Sequence, residues 1–176
     1  MIDNAQNPME LLQNDVATKI MATAPFTTMS FPDGTAFQVL TEDEGDVNFE
    51  YKAMLSTLGL SIVVKSPEGD IEQPDIPGPL ITKMTFEVWV SENPEFNRND
   101  LGTKVRLWDA TAIVMGTLHL FQPPSLATGT GASPIYAQRV RRFAERTFAS
   151  EQDQEGVLIL TRRCYFTASQ VGALIT

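Results

Sequence analysis

The alternating pattern of residues 80–92 constrains the fold more strongly than any other segment. Its even positions form a row that is apolar apart from one threonine: Leu80, Thr82, Met84, Phe86, Val88 and Val90. Its odd positions are mostly polar: Ile81, Lys83, Thr85, Glu87, Trp89 and Ser91. Because successive side chains of a β-strand point to opposite faces, this pattern predicts a long strand with one face against a core. Pro94 ends it.

Three segments carry the apolar period of helices. The first begins with Pro8 at its first position, after the possible cap Asn7, and Pro25 ends it. Its apolar row, at a spacing of four, is Leu12, Val16 and Ile20. The second runs from Asp46 to a C-terminal glycine, Gly59. The third covers residues 103–120, and its predicted apolar stripe is Val105, Trp108, Ala112, Met115 and Leu118.

Further strands are predicted at residues 60–65, 136–149 and 156–168, with a hairpin connection between the last two. Residues 29–41 are predicted to be extended around a Pro-Asp-Gly turn. Strands outnumber helices and are joined mostly as hairpins. We therefore predict an α+β fold with a mainly antiparallel sheet and helices packed on one face. A chain of 176 residues is predicted to form a single domain over residues 1–176.

Two polar segments, residues 66–79 and 122–134, are predicted to be long loops. The first contains four prolines, and the second contains the alternating run Thr128-Gly129-Thr130-Gly131. Loops of this length in a compact domain are usually functional or mobile. We expect both loops to be mobile in the free protein and to become ordered on assembly.

The residue types that carry chemistry are scarce. Cys164 and His119 are the sole cysteine and histidine, so no intramolecular disulfide or cysteine-rich metal site is possible. Counting leaves open a Cys–His nucleophile pair, but we expect a buried small apolar residue and a helix-end residue. The glycines of residues 128–132 precede Pro134 and a strand, not the helix of a phosphate loop. The acidic residues 42–46 lack the ligand spacing of an EF-hand.

These observations predict neither catalytic residues nor a metal or cofactor site, and so no enzyme. Residues 1–8 lack the basic start and apolar stretch of a signal peptide. No segment approaches the roughly 20 apolar residues that a membrane helix needs, so no membrane partner is expected.

The net charge of −9 is unevenly distributed along the chain. Residues 1–100 carry 17 acids and 5 bases, whereas residues 101–176 carry 5 acids and 8 bases. Complementary charge of this kind can set the register of a protein interface, although solvated faces would also explain it. We predict that a basic group in this subunit pairs with acids of a neighbouring subunit or partner. The basic group is Arg139, Arg141, Arg142, Arg146, Arg162 and Arg163. The acids are Glu68, Asp70, Glu72 and Asp75, or those of residues 42–46.

Strand geometry divides these arginines between two faces. Arg139 and Arg141 share one face of their predicted strand, while Arg142 and Arg146 share the other. Nucleic-acid binding concentrates basic residues on one face and adds stacking aromatics. With two basic faces and a net charge of −9, general nucleic-acid affinity is not predicted.

The order of elements resembles that of the tail terminator, or tail completion, proteins of long-tailed bacteriophages. The resemblance includes the N-terminal helix and the helix-to-strand passage of residues 46–65. It also includes the strand that ends in Ser91-Glu92-Asn93-Pro94, the helix that ends in Phe121-Gln122-Pro123, and the closing strand of residues 157–168.

The resemblance implies a structural virion protein without cofactor or catalytic chemistry. It would form a ring, usually hexameric in the family, on the finished tail-tube protein. The ring would stop tube growth and offer a surface to a head-side connector or head-closure protein, with DNA passing only as cargo through the lumen. Open alternatives are another neck or tail component, such as a head-closure or tail-tube protein. A small hydrolase or ligand-binding domain with residues 66–79 as a lid is an alternative from another class.

Overall fold

The computed structural model describes residues 8–31, 33–42, 47–72, 81–97, 102–126, 134–148 and 156–171. Six strands form one sheet: β1 Leu40–Thr41, β2 Leu60–Val64, β3 Glu68–Glu72, β4 Ile81–Glu92, β5 Tyr136–Phe148 and β6 Val157–Val171. Their order is β1-β2-β4-β6-β5, and β3 pairs with the half of β4 that β2 leaves open. The β1–β2 pair is parallel, and the other pairs are antiparallel.

Three α-helices accompany the sheet: α1 Pro8–Met21, α2 Val47–Thr57 and α3 Leu107–Leu118. Pro8 occupies the first position of α1, as predicted, and the predicted apolar row Leu12, Val16 and Ile20 is fully buried. The predicted cap Asn7 and the predicted first residue of the second helix, Asp46, lie outside the described residues.

Gly59 ends α2 in the left-handed conformation that favours glycine. Its φ is +71°, and its N–H donates to the Met54 carbonyl at 3.1 Å. A Cβ at this position would lie 2.8 Å from Cβ of Asn97. Backbone conformation and close packing therefore both require a glycine here, and the predicted C-terminal glycine is confirmed.

One face of the sheet, here called the helix face, carries the core. Its β4 side chains are at most 3% exposed: Met84, Phe86, Val88 and Val90. Phe86 stacks on Phe166 of β6 with ring centres 5.2 Å apart. Helices α1 and α3 pack into the same core, while α2 packs against β1 and β2, where Ser61 Oγ donates to Met54 Sδ. The predicted α+β fold with a mainly antiparallel sheet is confirmed.

The predicted third helix is wrong in its start and in its buried stripe. Lys104 has a φ of +62°, and Asn97 bonds to both the Lys104 N–H and the Val105 carbonyl, which holds this segment out of the helix. The helix starts only at Leu107, and its buried side is Leu107, Ala110, Thr111, Val114 and Leu118. Trp108 is 65% exposed. Packing on the sheet therefore buries a different side of the helix from the one that the apolar period predicts.

Both predicted loops contain ordered structure. Residues 68–72 form β3, because the first half of β4 extends beyond β2 and offers its hydrogen-bonding groups to another strand. At the start of the second segment, Leu126 is 2% exposed, and the Ser125 N–H and hydroxyl both donate to the Asp15 carboxylate at 2.8 Å. Residues 73–80 and 127–133 lie outside the described residues.

Candidate assembly surface

Two pairs of arginines lie directly opposite each other on the two longest strands. Arg141 of β5 faces Arg163 of β6, and Arg142 faces Arg162. Like charges in opposed positions of a sheet repel each other and destabilise the pairing. These two pairs, here called the arginine rungs, therefore need compensating contacts.

The rungs lie on different faces of the sheet. The register continues into β4, where Arg163 pairs with Trp89 and Arg162 pairs with Val90. The Arg142–Arg162 rung thus belongs to the helix face with Val90. The Arg141–Arg163 rung belongs to the opposite side, here called the second face, as strand geometry predicts.

Aromatic rings compensate the rung on the second face. The guanidinium carbon of Arg163 lies 4.1 Å from the centre of the Trp89 ring and 4.2 Å from the centre of the Phe143 ring. Lys65 Nζ lies 4.7 Å from the same Trp89 ring. Each cation–π contact contributes about 0.5–1 kcal/mol at exposed sites and about 2 kcal/mol when desolvated. We call this row of four side chains the cation–aromatic ladder.

Tyr165 extends the basic part of the second face towards the edge strand. The guanidinium carbons of Arg139 and Arg141 lie 4.9 and 5.7 Å from the centre of its ring. Three of the six predicted arginines therefore gather around aromatic rings on one face. They present a fixed basic surface, because the rings restrict how each guanidinium can turn.

Two glutamates balance part of this charge. Glu87 accepts a hydrogen bond from Trp89 Nε1 at 2.6 Å. Glu42 accepts from Lys65 Nζ and from the Ser66 N–H. Burial alone would raise the pKa of the Glu42 carboxyl, but the hydrogen bonds from Lys65 and Ser66 and the Lys65 charge outweigh it, so this pKa lies below its ordinary value.

These side chains line a shallow cleft of about 670 Å³ on the second face. Its walls alternate charged, polar and aromatic groups, including Glu42, Lys65, Glu87, Trp89, Arg163 and Tyr165. Such a surface suits the polar, arginine- and aromatic-rich contacts of protein interfaces.

The helix-face rung lies beside the start of α3. The guanidinium carbon of Arg162 lies 4.3 Å from the centre of the Trp108 ring. Nearby, Arg106 Nε donates to the buried carboxylate of Glu92 at 2.6 Å, and Asn97 Nδ2 donates to the same oxygen at 2.8 Å. Glu92 is therefore already paired, and among the described residues no ion pair joins a carboxylate to either arginine of this rung.

In each rung, one arginine has a buried hydrogen-bond donor without a partner within the described residues. The Nε atoms of Arg162 and Arg163 are buried and have no hydrogen-bond partner there. A buried donor left without a partner costs about 1–3 kcal/mol. The aromatic rings hold these arginines in place without meeting their hydrogen-bonding capacity.

The structure brings two of the predicted acids, Glu42 and Glu68, to the second-face cleft that Arg139 and Arg163 also line. Glu68, Asp70 and Glu72 lie on β3, on the opposite side of β4 from β6 and β5. Arg146 pairs in register with Leu158 near the end of β5, but its side chain lies outside the described residues. Asp75 lies outside them altogether. In the strand order, β4 separates Asp70 and Glu72 from the strands that carry the rungs. An interface role for the ten residues remains a prediction.

The aromatic members of the surface are not predicted by the sequence. The alternation of residues 80–92 predicts that Trp89 lies on a strand but predicts no contact for its ring. The apolar period of residues 103–120 wrongly predicts that Trp108 is buried. Their contacts depend on the register between strands far apart in sequence, which composition does not reveal.

The cysteine and histidine occupy the positions expected of them. Cys164 is fully buried on the helix face, and burial raises the pKa of its thiol to about 12 against the opposing charge of Arg162. It is therefore a poor nucleophile. His119 caps the C-terminal end of α3 and accepts from the Ala137 N–H at 3.4 Å. Within the described residues, no group of three or more metal-ligating side chains comes together, and no helix there is long and apolar enough to span a membrane.

Comparison with known proteins gives a structural relative. No protein-family model matches the chain, and no curated protein matches it. A chain of the solved structure "Virion of native gene transfer agent (GTA) particle" shares the fold with a TM-score of 0.52 and 13% sequence identity. The alignment covers 92% of this chain and 95% of that chain. At this identity the likeness establishes the fold, and function has to be argued from the surface.

Proposed function

We propose that this protein is a structural component of a phage-like virion that assembles into a ring on the end of the tail tube. In this role it stops tube growth and presents a joining surface to the head-side connector. Its partners are further copies of itself, the tail-tube protein and a head-closure or connector protein.

The observation that carries this proposal is the shared fold with a chain of a gene transfer agent virion, over nearly the full length of both chains. The order of helices and strands also resembles that of tail terminators. The match of whole chain to whole chain favours a component of similar size and build over a domain borrowed from a larger enzyme.

The arginine rungs support an assembly role independently. Arginine recognises carboxylates through a planar fork of donors, and the two rungs fix this fork on both faces near one edge of the sheet. Their buried Nε atoms lack partners in the described part of the isolated subunit. Acids from a neighbouring subunit or partner would bind the exposed arginines of the rungs, Arg141 and Arg142, since the buried Nε atoms are out of reach of another molecule.

The hydrolase or ligand-binding alternative finds less support. Residues 68–72 of its supposed lid are a strand paired with β4. The second-face cleft is open and lined by cation–π and ion pairs, and the thiol of Cys164 is buried on the other face. None of the described residues forms a nucleophile with an adjacent base.

Electron microscopy of tube ends tests the proposal. Purified protein is mixed with tail tubes from particles that lack it, and the ends are imaged. A single ring layer at one end supports the proposed function. Continued stacking of many layers would instead identify a tail-tube protein, and bare ends at saturating protein concentration would contradict the proposal.

A further inference from the structure

Two strands of the sheet have outer edges with which none of the described strands pairs. Strand β5 lies at one end of the strand order, and β3, which pairs with β4 alone, lies on the other side of the sheet. β5 has 13 residues and β3 has five. An exposed strand edge presents backbone N–H and C=O groups that can pair with a strand of another chain. Both edges are therefore candidate joining surfaces.

The hydrogen bonds of the sheet show which backbone groups of β5 point to its free edge. The Lys65 N–H donates to the Glu87 carbonyl at 2.9 Å. The odd-numbered residues of β4 therefore bond towards β2 and β3, and the even-numbered ones bond towards β6. Carried through the register, this alternation turns the backbone groups of Arg141 towards β6 and those of residues 140, 142 and 144 to the free edge.

The start of β5 agrees with this assignment. The Ile135 N–H donates to the Phe121 carbonyl at 2.8 Å, and the Ala137 N–H donates to His119 Nδ1 at 3.4 Å. The segment after α3 thus covers the edge as far as Ala137. A register shift follows, and no described strand covers the regular ladder of residues 139–146 that comes next.

The same alternation applies to β3. Glu68 pairs in register with Thr85, an odd-numbered residue of β4, so the backbone groups of Gly69 and Ile71 point outwards. Gly69 and Ile71 occupy positions of the helix face, as do residues 140 and 142 of β5. Directly opposed residues of an antiparallel pair share a face. Two copies joined edge to edge would therefore keep the helix face continuous across the contact.

The two edges carry opposite charges. β3 contains the acids Glu68, Asp70 and Glu72 and no base, whereas β5 contains four arginines and one acid, Glu145. Lys83 of the same subunit lies opposite Asp70 and offsets one of the three acids. Two β5 edges joined to each other would bring arginines together, and β1 offers only two residues. Charge complementarity therefore selects β3 of a second copy as the partner of β5.

We propose that β3 of one copy adds to β5 of a second copy in antiparallel orientation, so that the sheet continues from subunit to subunit. β3 and β5 of one subunit already run antiparallel, and a rotation about an axis along the strands preserves their directions. In the proposed register, Ile71 lies opposite Val140 and Gly69 lies opposite Arg142. The free backbone groups of the two strands then face each other.

This register also pairs the charges of the two strands. Asp70 lies opposite Arg141, and Glu72 lies opposite Arg139, both at positions of the second face. The guanidinium carbons of Arg139 and Arg141 lie 4.9 and 5.7 Å from the centre of the Tyr165 ring. Both arginines are therefore held at this face before a second copy arrives.

Neighbouring registers fit less well. A shift by two residues in one direction places Glu68 opposite Glu145, and like charges directly opposite each other repel. A shift by two in the other direction places Ile71 opposite Gln138, where the register between β5 and β6 changes. A shift by one residue would turn the two helix faces to opposite sides.

The contact is head-to-tail, because each copy offers β3 to one neighbour and β5 to another. A head-to-tail contact closes into a ring when its rotation divides the circle. The inference rests on the proposed assembly function and names the two strands that join its subunits.

Disulfide cross-linking of the purified chain tests the contact. In the proposed register Glu68 lies opposite Phe143, and both side chains are exposed in the subunit. Glu68→Cys and Phe143→Cys variants are mixed at high concentration under oxidising conditions, in which the native Cys164 stays fully buried. The matched control mixes Glu68→Cys with Ala144→Cys, an exposed neighbouring position on the other face of β5. Each variant alone is the second control.

The expected result is a disulfide-linked dimer in the Glu68→Cys and Phe143→Cys mixture, several-fold more abundant than in any control. Glu72→Arg in the first variant should reduce that yield several-fold, and Arg139→Glu in the second should restore it. Equal yields in mixture and controls at the highest soluble concentration would overturn the contact. Phe143→Cys alone giving as much dimer as the mixture would indicate symmetric pairing of two β5 edges and would also overturn it.

A second cysteine pair protects the test against a loss of folding. Phe143 contacts the Arg163 guanidinium, so circular dichroism of its variant is measured first. If Phe143→Cys does not fold, Glu72→Cys is mixed with Arg139→Cys, since these positions are opposed in the same register. The same controls and the same two contradicting outcomes then apply.

The two proposals fail separately. A protein that caps tubes without preferential cross-linking would overturn this contact and leave the proposed function standing. Preferential cross-linking by a protein that never binds tubes would support the contact and contradict the proposed function.

Discussion

The guanidinium carbon of Arg163 lies 4.1 Å from the centre of the Trp89 ring, on the face of the sheet opposite the core. The two residues are paired in register across β4 and β6. This contact explains how the sheet tolerates Arg141 directly opposite Arg163. The second face is thus built as a fixed basic surface, in which aromatic rings replace part of the solvation that each guanidinium loses.

Removal of the Trp89 ring should therefore destabilise the protein. Trp89→Ala removes the cation–π contacts to both Lys65 and Arg163, and we expect a loss of about 2 kcal/mol or more in the free energy of unfolding. Trp89→Phe keeps a ring and loses the hydrogen bond to Glu87, so it should cost less. Urea denaturation measures both. Equal losses for the two variants would show that the ring contacts are unimportant.

Two glycines give a matched pair of substitutions. Gly59→Ala places a Cβ against Asn97 in a backbone conformation with φ of +71°, and we expect a loss of about 1–3 kcal/mol. Gly116 lies within α3 and is exposed, and an added Cβ there would meet no neighbouring atom within 4 Å. Gly116→Ala should therefore stabilise by about 0.5–1 kcal/mol. Thermal unfolding of both variants checks the prediction, and the same sign for both would refute it.

Glu42 gives a prediction about pH. Its pKa is lower in the folded chain than in the unfolded chain, so its stabilising effect is present above the unfolded pKa and is lost as the pH falls through the folded pKa. Glu42→Gln should therefore be less stable than the wild type near neutral pH, by at most about 1 kcal/mol for such a partly exposed pair. The difference should shrink on acidification. A difference that is constant between neutral and acid pH would contradict this assignment.

Charge reversal on the two rungs tests the assembly surface itself. Arg141→Glu alters the second face and Arg142→Glu alters the helix face. Both side chains are exposed in the subunit, so we expect near-native circular dichroism for both variants. At least one variant should fail to attach to tubes or heads, because loss of one partner of a desolvated pair costs about 2–5 kcal/mol. Normal attachment of both across ionic strengths would mean that these arginines form a solvated face.

Local patterns predict the parts of the fold that depend on near neighbours. The alternation before Glu92 predicts β4, and the spacing of Leu12, Val16 and Ile20 predicts the buried side of α1. These inferences succeed because side-chain direction repeats every two residues in a strand and about every 3.6 in a helix.

Contacts between residues far apart in the sequence account for the features that the sequence predicted wrongly or did not predict. Trp108 fits an apolar period like a core residue, but the phase of α3 follows its packing on the sheet and the restraint of Lys104 by Asn97. Strand β3 is not predicted because its polar sequence has no apolar row, and its pairing with β4 stabilises it instead. The cation–aromatic ladder joins residues from four distant segments, so only the register could reveal it.

The length of tail tubes tests the proposed ring-forming, growth-stopping role most directly. Tube protein is polymerised with and without this protein, and the lengths are measured by electron microscopy. We predict that added protein stops elongation, leaving shorter tubes that each carry a single ring at one end. Tubes that grow to the same lengths in its presence, or that incorporate it along their whole length, would contradict this role.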